Sequence, residues 1–166
     1  PYKRNFKDDK GDWQNVIEAQ FQLGYKGFIQ LAQRSGQFKT ISAAPVYEGQ
    51  LISENPLTGY EFDWTVKPEK QPIGYVAYFK LLNGFEAYLY MPIADVKKHA
   101  GQYSQTFKNN KGVWKDNFDA MAIKTVLKLL LSKQAPLSIE MQKAVMADQS
   151  IVKDVDNDEY DYIDHE

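Results

Sequence analysis

The sequence predicts an α+β fold: a mainly antiparallel sheet built from hairpins, packed against one long buried helix and several shorter ones. Three observations carry that reading. Ile73 to Leu82 and Phe85 to Met91 are aromatic-rich apolar runs flanking Asn83-Gly84, the dipeptide favoured in a two-residue type I′ hairpin turn, where both central residues need positive φ. Val113 to Lys133 repeats apolar residues at helical spacing and is stopped by Pro136. Tyr60, Phe62 and Trp64 alternate with Glu61 and Asp63 after the turn cluster Asn55-Pro56-Leu57-Thr58-Gly59, the period of a half-buried strand.

In chain order, residues 1–17 are polar, with Lys3, Arg4, Lys7 and Lys10, and end at Val16-Ile17. Ala19, Phe21 and Leu23 alternate with Glu18, Gln20 and Gln22, which predicts a strand and a hairpin across the Lys10 to Trp13 loop. Phe28, Ile29, Leu31 and Ala32 are spaced for a short helix that ends by Arg34, with Gly36 as its C-cap. Phe38, Thr40, Ile41, Val46, Tyr47 and Ile52 suggest strands, and Pro45 places its strand at an edge or a bulge. Together with Tyr60 to Trp64 they form a meander. Across the Asn83-Gly84 turn, facing residues are expected to sum to 167. That register puts Val76, Tyr78, Leu82, Phe85, Leu89 and Met91 on one face and Tyr75, Phe79, Leu81, Tyr88 and Tyr90 on the other. Two readings of the aromatic face stay open, a base-stacking platform and a face covered by helices.

Pro92 suits the start of a helix through Ile93, Val96 and His99 that carries Lys97-Lys98. Gly101 to Gly112 reads as a polar loop whose Tyr103, Phe107, Lys108 and Lys111 lead into Trp114-Lys115, a mixture suited to phosphate contacts and stacking. In the long helix Asp116 is the candidate N-cap, with Asp119 three residues on. Phe118, Ala122, Ile123, Val126, Leu127, Leu129 and Leu130 fill more than half its circumference. The narrow remaining stripe holds Asn117, Met121, Lys124, Thr125, Lys128 and Ser132, with no acid among them. It reads either as a solvated face or as a site for an anionic backbone. After Pro136, Ser138 caps a last helix through Met141, Val145 and Met146, with Glu140 and Asp148 on its polar face.

The 166 residues are enough for one domain with its own core. No apolar run approaches the roughly 20 residues a spanning helix needs, so no membrane role is expected. The chain has no cysteine, which excludes disulfides and thiolate metal sites and fits a reducing compartment. It begins at Pro1 rather than Met, the expectation being a piece or processed product of a longer protein. The net charge of −2 hides an asymmetry: seven acids and no Lys or Arg lie in Asp154 to Glu166, leaving 20 basic against 15 acidic residues in 1–153. A basic body with an acidic tail suits a nucleic-acid binder whose tail competes for its own groove or recruits a partner, and equally a body with a solubilising tail. The expected division is a core over 1–152 and an acidic, disordered tail over 153–166.

Catalytic signatures are absent. His99 and His165 lie far apart, and neither HExxH, GxSxG nor a P-loop occurs. Glu48, Glu54, Glu61, Asp63 and Glu86 are scattered rather than clustered as a two-metal site needs. Binding without turnover is the expectation, with no catalytic residue, metal or cofactor.

Several stretches together resemble the RecT family of phage and prophage single-strand annealing proteins. They are Ala19-Gln20-Phe21-Gln22-Leu23-Gly24-Tyr25-Lys26-Gly27-Phe28-Ile29-Gln30-Leu31-Ala32, Val46-Tyr47-Glu48-Gly49 and Asn83-Gly84-Phe85-Glu86. The long helix adds Trp114-Lys115, Phe118-Asp119-Ala120-Met121-Ala122 and Lys124-Thr125-Val126-Leu127, followed by Leu137-Ser138-Ile139-Glu140-Met141-Gln142. Order and spacing match over roughly residues 15 to 152, the central and C-terminal part of such a protein, and the helical N-terminal region of family members has no counterpart here.

The resemblance implies an annealing-protein-like core that coats single-stranded DNA and anneals it to a complement without ATP. It further implies a homo-oligomeric filament or ring, a partner exonuclease or single-strand binding protein, homologous recombination as the setting, and the cytoplasm of a bacterial host. The alternative is a protein-recruiting or structural module of a recombination complex that acts through the acidic tail. On the annealing reading the DNA contacts fall to Lys26, Arg34, Lys39, Lys97, Lys98, Lys108, Lys111, Lys115, Lys124, Thr125 and Lys128. Tyr25, Tyr103, Phe107 and Trp114 are the stacking candidates.

Overall fold

The computed structural model describes residues 2–7, 10–18, 22–55, 57–69, 71–136, 139–148, 151–154 and 159–161. It divides into two compact units, Gly24–Met141 and a smaller one formed by both ends of the chain, Pro1–Leu23 with Gln142–Glu166. The architecture is mixed α+β with antiparallel pairing throughout the described strands.

In the smaller unit β1 (Tyr2–Lys7) and β2 (Trp13–Glu18) pair as a hairpin, Tyr2 facing Glu18 and Lys7 facing Trp13. The turn forms where Lys10-Gly11-Asp12 signals it, with Gly11 at φ +83°. The second strand therefore ends where the alternating pattern was expected to begin it, and residues 19–21 of that pattern lie outside the described residues. Two further strands, Ile151–Asp154 and Glu159–Asp161, pair antiparallel within the acidic end of the chain. Asp148 is buried rather than solvent-facing, and its carboxylate accepts the Leu23 backbone N–H at 2.9 Å. Ser138, the expected cap of Ile139–Ala147, lies outside the described residues.

The larger unit opens with α1 (Tyr25–Arg34), closed by Ser35 and by Gly36 at φ +68°, whose N–H reaches the Gln33 carbonyl. Then come β3 (Phe38–Val46), the hairpin β4 (Leu51–Asn55) and β5 (Gly59–Phe62), and β6 (Gly74–Leu81) with β7 (Glu86–Pro92). The main sheet has the order β3-β6-β7. Pro45 thus sits on an edge strand, and the register shifts between Phe38 and Thr40, which leaves Lys39 at the irregularity.

The β6–β7 turn differs from the two-residue form. Leu81 N–H donates to the Phe85 carbonyl at 2.8 Å and Gly84 N–H to the Leu81 carbonyl at 3.1 Å, and Gly84 alone of the turn has positive φ, at +90°. This is a three-residue loop closed by a glycine bulge. Facing residues run from Lys80↔Glu86 to Gly74↔Pro92 and so sum to 166. A slip of one residue exchanges faces along a whole strand. Tyr88 and Tyr90 accordingly share a face with Val76 and Tyr78, while Leu89 and Met91 join Tyr75, Phe79 and Leu81.

That second set forms the inner face. It is packed by α5 (Phe118–Gln134), which contacts all three strands and α1. Phe79, Ala77, Val126, Leu127 and Leu131 are fully buried. Tyr75 donates its hydroxyl to the Asp119 carboxylate, and its ring lies 6.2 Å from that of Phe118. Burial, with the nearby Asp119 carboxylate, pushes the Tyr75 hydroxyl well above its usual range.

The long helix does not begin at Asp116. Val113–Asp116 forms a separate turn, α4, and Asn117 breaks the chain at φ −149°, ψ 72° before α5. The Asn117 side chain is the cap, accepting the Ala120 N–H at 3.2 Å. Asp119 is therefore occupied by Tyr75, and Asp116 ends the preceding turn. Between β7 and α4 lie α2 (Ile93–Tyr103) and α3 (Gln105–Lys108), so the segment expected as a polar loop is largely helical.

Candidate nucleic-acid interface

The buried side of α5 is broader than its sequence pattern indicates. Lys124 is 7% exposed and engaged within the fold, because α1, α2, α4 and the sheet surround the helix. The expected stripe is thereby shortened: Lys124 lies inside it, Lys128 is half-buried and Ser132 exposed. Thr125 donates its hydroxyl to the Met121 carbonyl at 2.8 Å, which satisfies it within the helix.

What the fold brings together instead lies where α2 meets α5. His99 is half-buried, and burial followed by the charges of Lys128 and Lys133 holds its imidazole below the usual range. Those two lysines therefore stand near it in space. The His99 ring also lies against that of Tyr103, 50% exposed, with centroids 4.7 Å apart and the planes tilted by 47°. Lys97 and Lys98 precede the histidine on exposed positions of the same helix, Lys98 about 100° and Lys97 about 200° round from it. The result is a group of three lysines, Lys98, Lys128 and Lys133, beside an imidazole and an exposed phenol ring, with Lys97 exposed farther round α2, a surface that attracts an anion and offers a ring to stack on.

The other candidates are placed elsewhere. Lys26 and Arg34 are exposed on α1, where Tyr25 stands half-buried in the first turn, and Lys39 is exposed at the β3 irregularity. Lys108, Lys111 and Lys115 are exposed along α3, the following loop and α4. Two stacking candidates turn inward. Trp114 is 6% exposed, edge-to-face with Phe107 at 5.4 Å and 5.5 Å from Phe118, and so pins α3 and α4 to the start of α5. Sequence reasoning missed His99 and Lys133 as members of the basic group. The signal was present for His99, which follows Val96 on the packed face of α2, whereas Lys133 stands five residues after Lys128, off the i, i+4 spacing.

Among the described residues there is no group of three or more His, Cys, Asp or Glu placed to hold a metal ion, and no helix long and apolar enough to cross a membrane. The class defined by this fold and surface is an α+β protein with a basic helical face. The comparisons narrow that class: the sequence matches the RecT family over residues 1–162, and the chain belongs to that family. It is 49% identical over 140 residues to the uncharacterized protein YqaK of Bacillus subtilis, an alignment covering 84% of this chain and 48% of that protein. It is 34% identical over 154 residues to Protein RecT of Escherichia coli, covering 86% of this chain and 51% of the relative. The chain thus spans about half the length of the curated relatives it matches.

Proposed function

We propose that this chain is the DNA-holding part of a single-strand annealing protein in homologous recombination. Membership of the RecT family carries the reading, and the basic group of Lys98, Lys128 and Lys133 beside His99 and Tyr103 supplies a physical basis for it. Lysines neutralise backbone phosphates and release counterions, so affinity depends on salt and little on sequence. Lys26, Arg34, Lys39, Lys108, Lys111 and Lys115 extend the cationic surface along a bound strand. Lys124 and Thr125 support α5 from within. Annealing on this scheme needs no nucleotide hydrolysis: the protein holds one strand extended, and base pairing with the complement supplies the driving force. Assembly into a homo-oligomer that follows an exonuclease or single-strand binding protein completes the reading.

Its test is the salt dependence of single-strand binding. Lys98→Glu, Lys128→Glu and Lys133→Glu combined should weaken binding at low salt by more than tenfold. Each lost phosphate contact flattens the log–log salt slope by about 0.7, so three contacts should remove roughly 2 units of slope. Circular dichroism should be unchanged, because two of the three side chains are exposed and the third half-buried. An unaltered slope would overturn the assignment of this face.

A further inference from the structure

The outer face of the main sheet is only partly covered. Its lower end is closed, since Val46, Val76 and Tyr90 are buried under Leu51, Tyr60 and Phe62 of the β4–β5 hairpin. Above that lies a cavity of about 390 Å³ lined by Ser42, Ala43, Ala44, Phe62, Trp64, Val76, Tyr78 and Tyr88. Small residues make its floor and two ring pairs line it. Phe62 and Trp64 are stacked at 5.1 Å and 26°, and Tyr78 and Tyr88 lie 4.7 Å apart.

Both pairs are held by polar bonds behind them. The Asp63 carboxylate accepts the Thr65 N–H at 2.8 Å and hydroxyl at 2.6 Å, closing a turn around Trp64. Buried Gln50 fixes that turn, its carbonyl accepting Asp63 N–H at 2.7 Å and its side chain donating to the Val66 carbonyl at 2.9 Å. Tyr78 donates to Glu86 at 2.8 Å, and Glu86 pairs with Lys80 at 3.1 Å. Trp64 nevertheless stays 54% exposed and Tyr88 37%.

We propose that this slot takes a nucleobase turned out from single-stranded DNA, stacked against Trp64 and Tyr88. The inference rests on the DNA-binding reading above and extends it to a second contact. The lining contains no charged side chain, which suits a flat neutral ring rather than a phosphate. Cations stand just outside it: Lys80 lies one two-residue step beyond Tyr78 on the same face, roughly 7 Å along the strand, and exposed Lys39 flanks Thr40, the partner of Lys80. Glu86 offsets the charge of Lys80, so a flanking phosphate would lie toward Lys39. The Ser42 hydroxyl in the lining can donate to or accept from a base, and stacking is tolerant of sequence.

The experiment compares a thymidine oligonucleotide of about 12 nucleotides with an abasic phosphodeoxyribose strand of equal length, by fluorescence anisotropy at fixed salt. Wild type should prefer the base-bearing strand. Trp64→Ala with Tyr88→Ala should weaken that strand about tenfold and leave the abasic strand unchanged, while Trp64→Phe keeps most of the preference. Equal loss on both strands, or no loss, overturns the slot. A change in sedimentation of Trp64→Ala without a change in base preference assigns the surface to contact between copies and also overturns it. If wild type binds neither strand, the DNA-binding reading itself fails, a result distinct from loss of base preference alone.

Discussion

The two faces of the β3-β6-β7 sheet are built from the same residue types and end in opposite states. Inside, Tyr75, Phe79 and Leu81 meet α5 and are closed off, with the tyrosine hydroxyl tied to Asp119. Outside, Tyr78, Tyr88 and Trp64 are equally aromatic and are held by Glu86 and the Asp63 turn, yet keep their ring surfaces open. Aromatic content does not distinguish a core from a binding surface. The polar bonds do: on the inner face they reach across to the covering helix, and on the outer face they stay at the margins and leave the rings available.

That contrast can be broken at several points. Phe79→Ala on the inner face should have the largest effect, a loss of about 3–5 kcal/mol read from the denaturant midpoint, because the ring is fully buried. Gly74→Ala probes the closed end of the outer face. A Cβ there would stand 2.5 Å from the Tyr90 ring, so overpacking should cost about 1–3 kcal/mol and shift the near-ultraviolet signal of the tyrosines. Tyr75→Phe removes the tie to α5, and since Asp119 is exposed and regains water, the expected loss in chemical denaturation is about 1 kcal/mol.

Behind the inner face, His99 should make stability depend on pH. Its imidazole is held below the ordinary value in the fold, so the unfolded chain binds the extra proton first. Stability is then fully present above about pH 6.5 and falls as the pH drops below it. The melting temperature of wild type should therefore decline between about pH 7 and 5, and His99→Gln should flatten that decline. The smallest effect belongs to the open face: Trp64→Ala should change the unfolding free energy by less than about 1 kcal/mol. A loss as large as that of Phe79→Ala would mean that the two faces are not different in kind.

Much of the scaffold was legible in the sequence. The turn at Lys10-Gly11-Asp12, the end of α1 at Gly36 and the edge position of Pro45 follow from local backbone preferences, which act over a few residues and leave a mark in composition. The site was less so. Lys124 sits on the polar stripe of an isolated helix, but burial depends on what packs around it, and α1, α2 and α4 arrive from distant parts of the chain. Trp114 and Phe107 read as loop aromatics and are in fact each other's packing partners. The aromatic slot was hidden by a register difference of one residue, which moved Tyr88 and Tyr90 to the opposite face from the one expected.

The turn at Leu82 to Gly84 therefore governs more than the reversal of the chain. Loop length is usually neutral where the loop is exposed, as this one is, but here it acts as a phase selector for all of β7. Closing the same chain on Asn83-Gly84 alone, with Leu82 drawn into β6 opposite Phe85, would rotate Leu89 and Met91 outward and Tyr88 and Tyr90 toward α5. The chain would exchange its slot and its core in a single step, so the turn form adopted at this site is far more constrained than its exposure suggests.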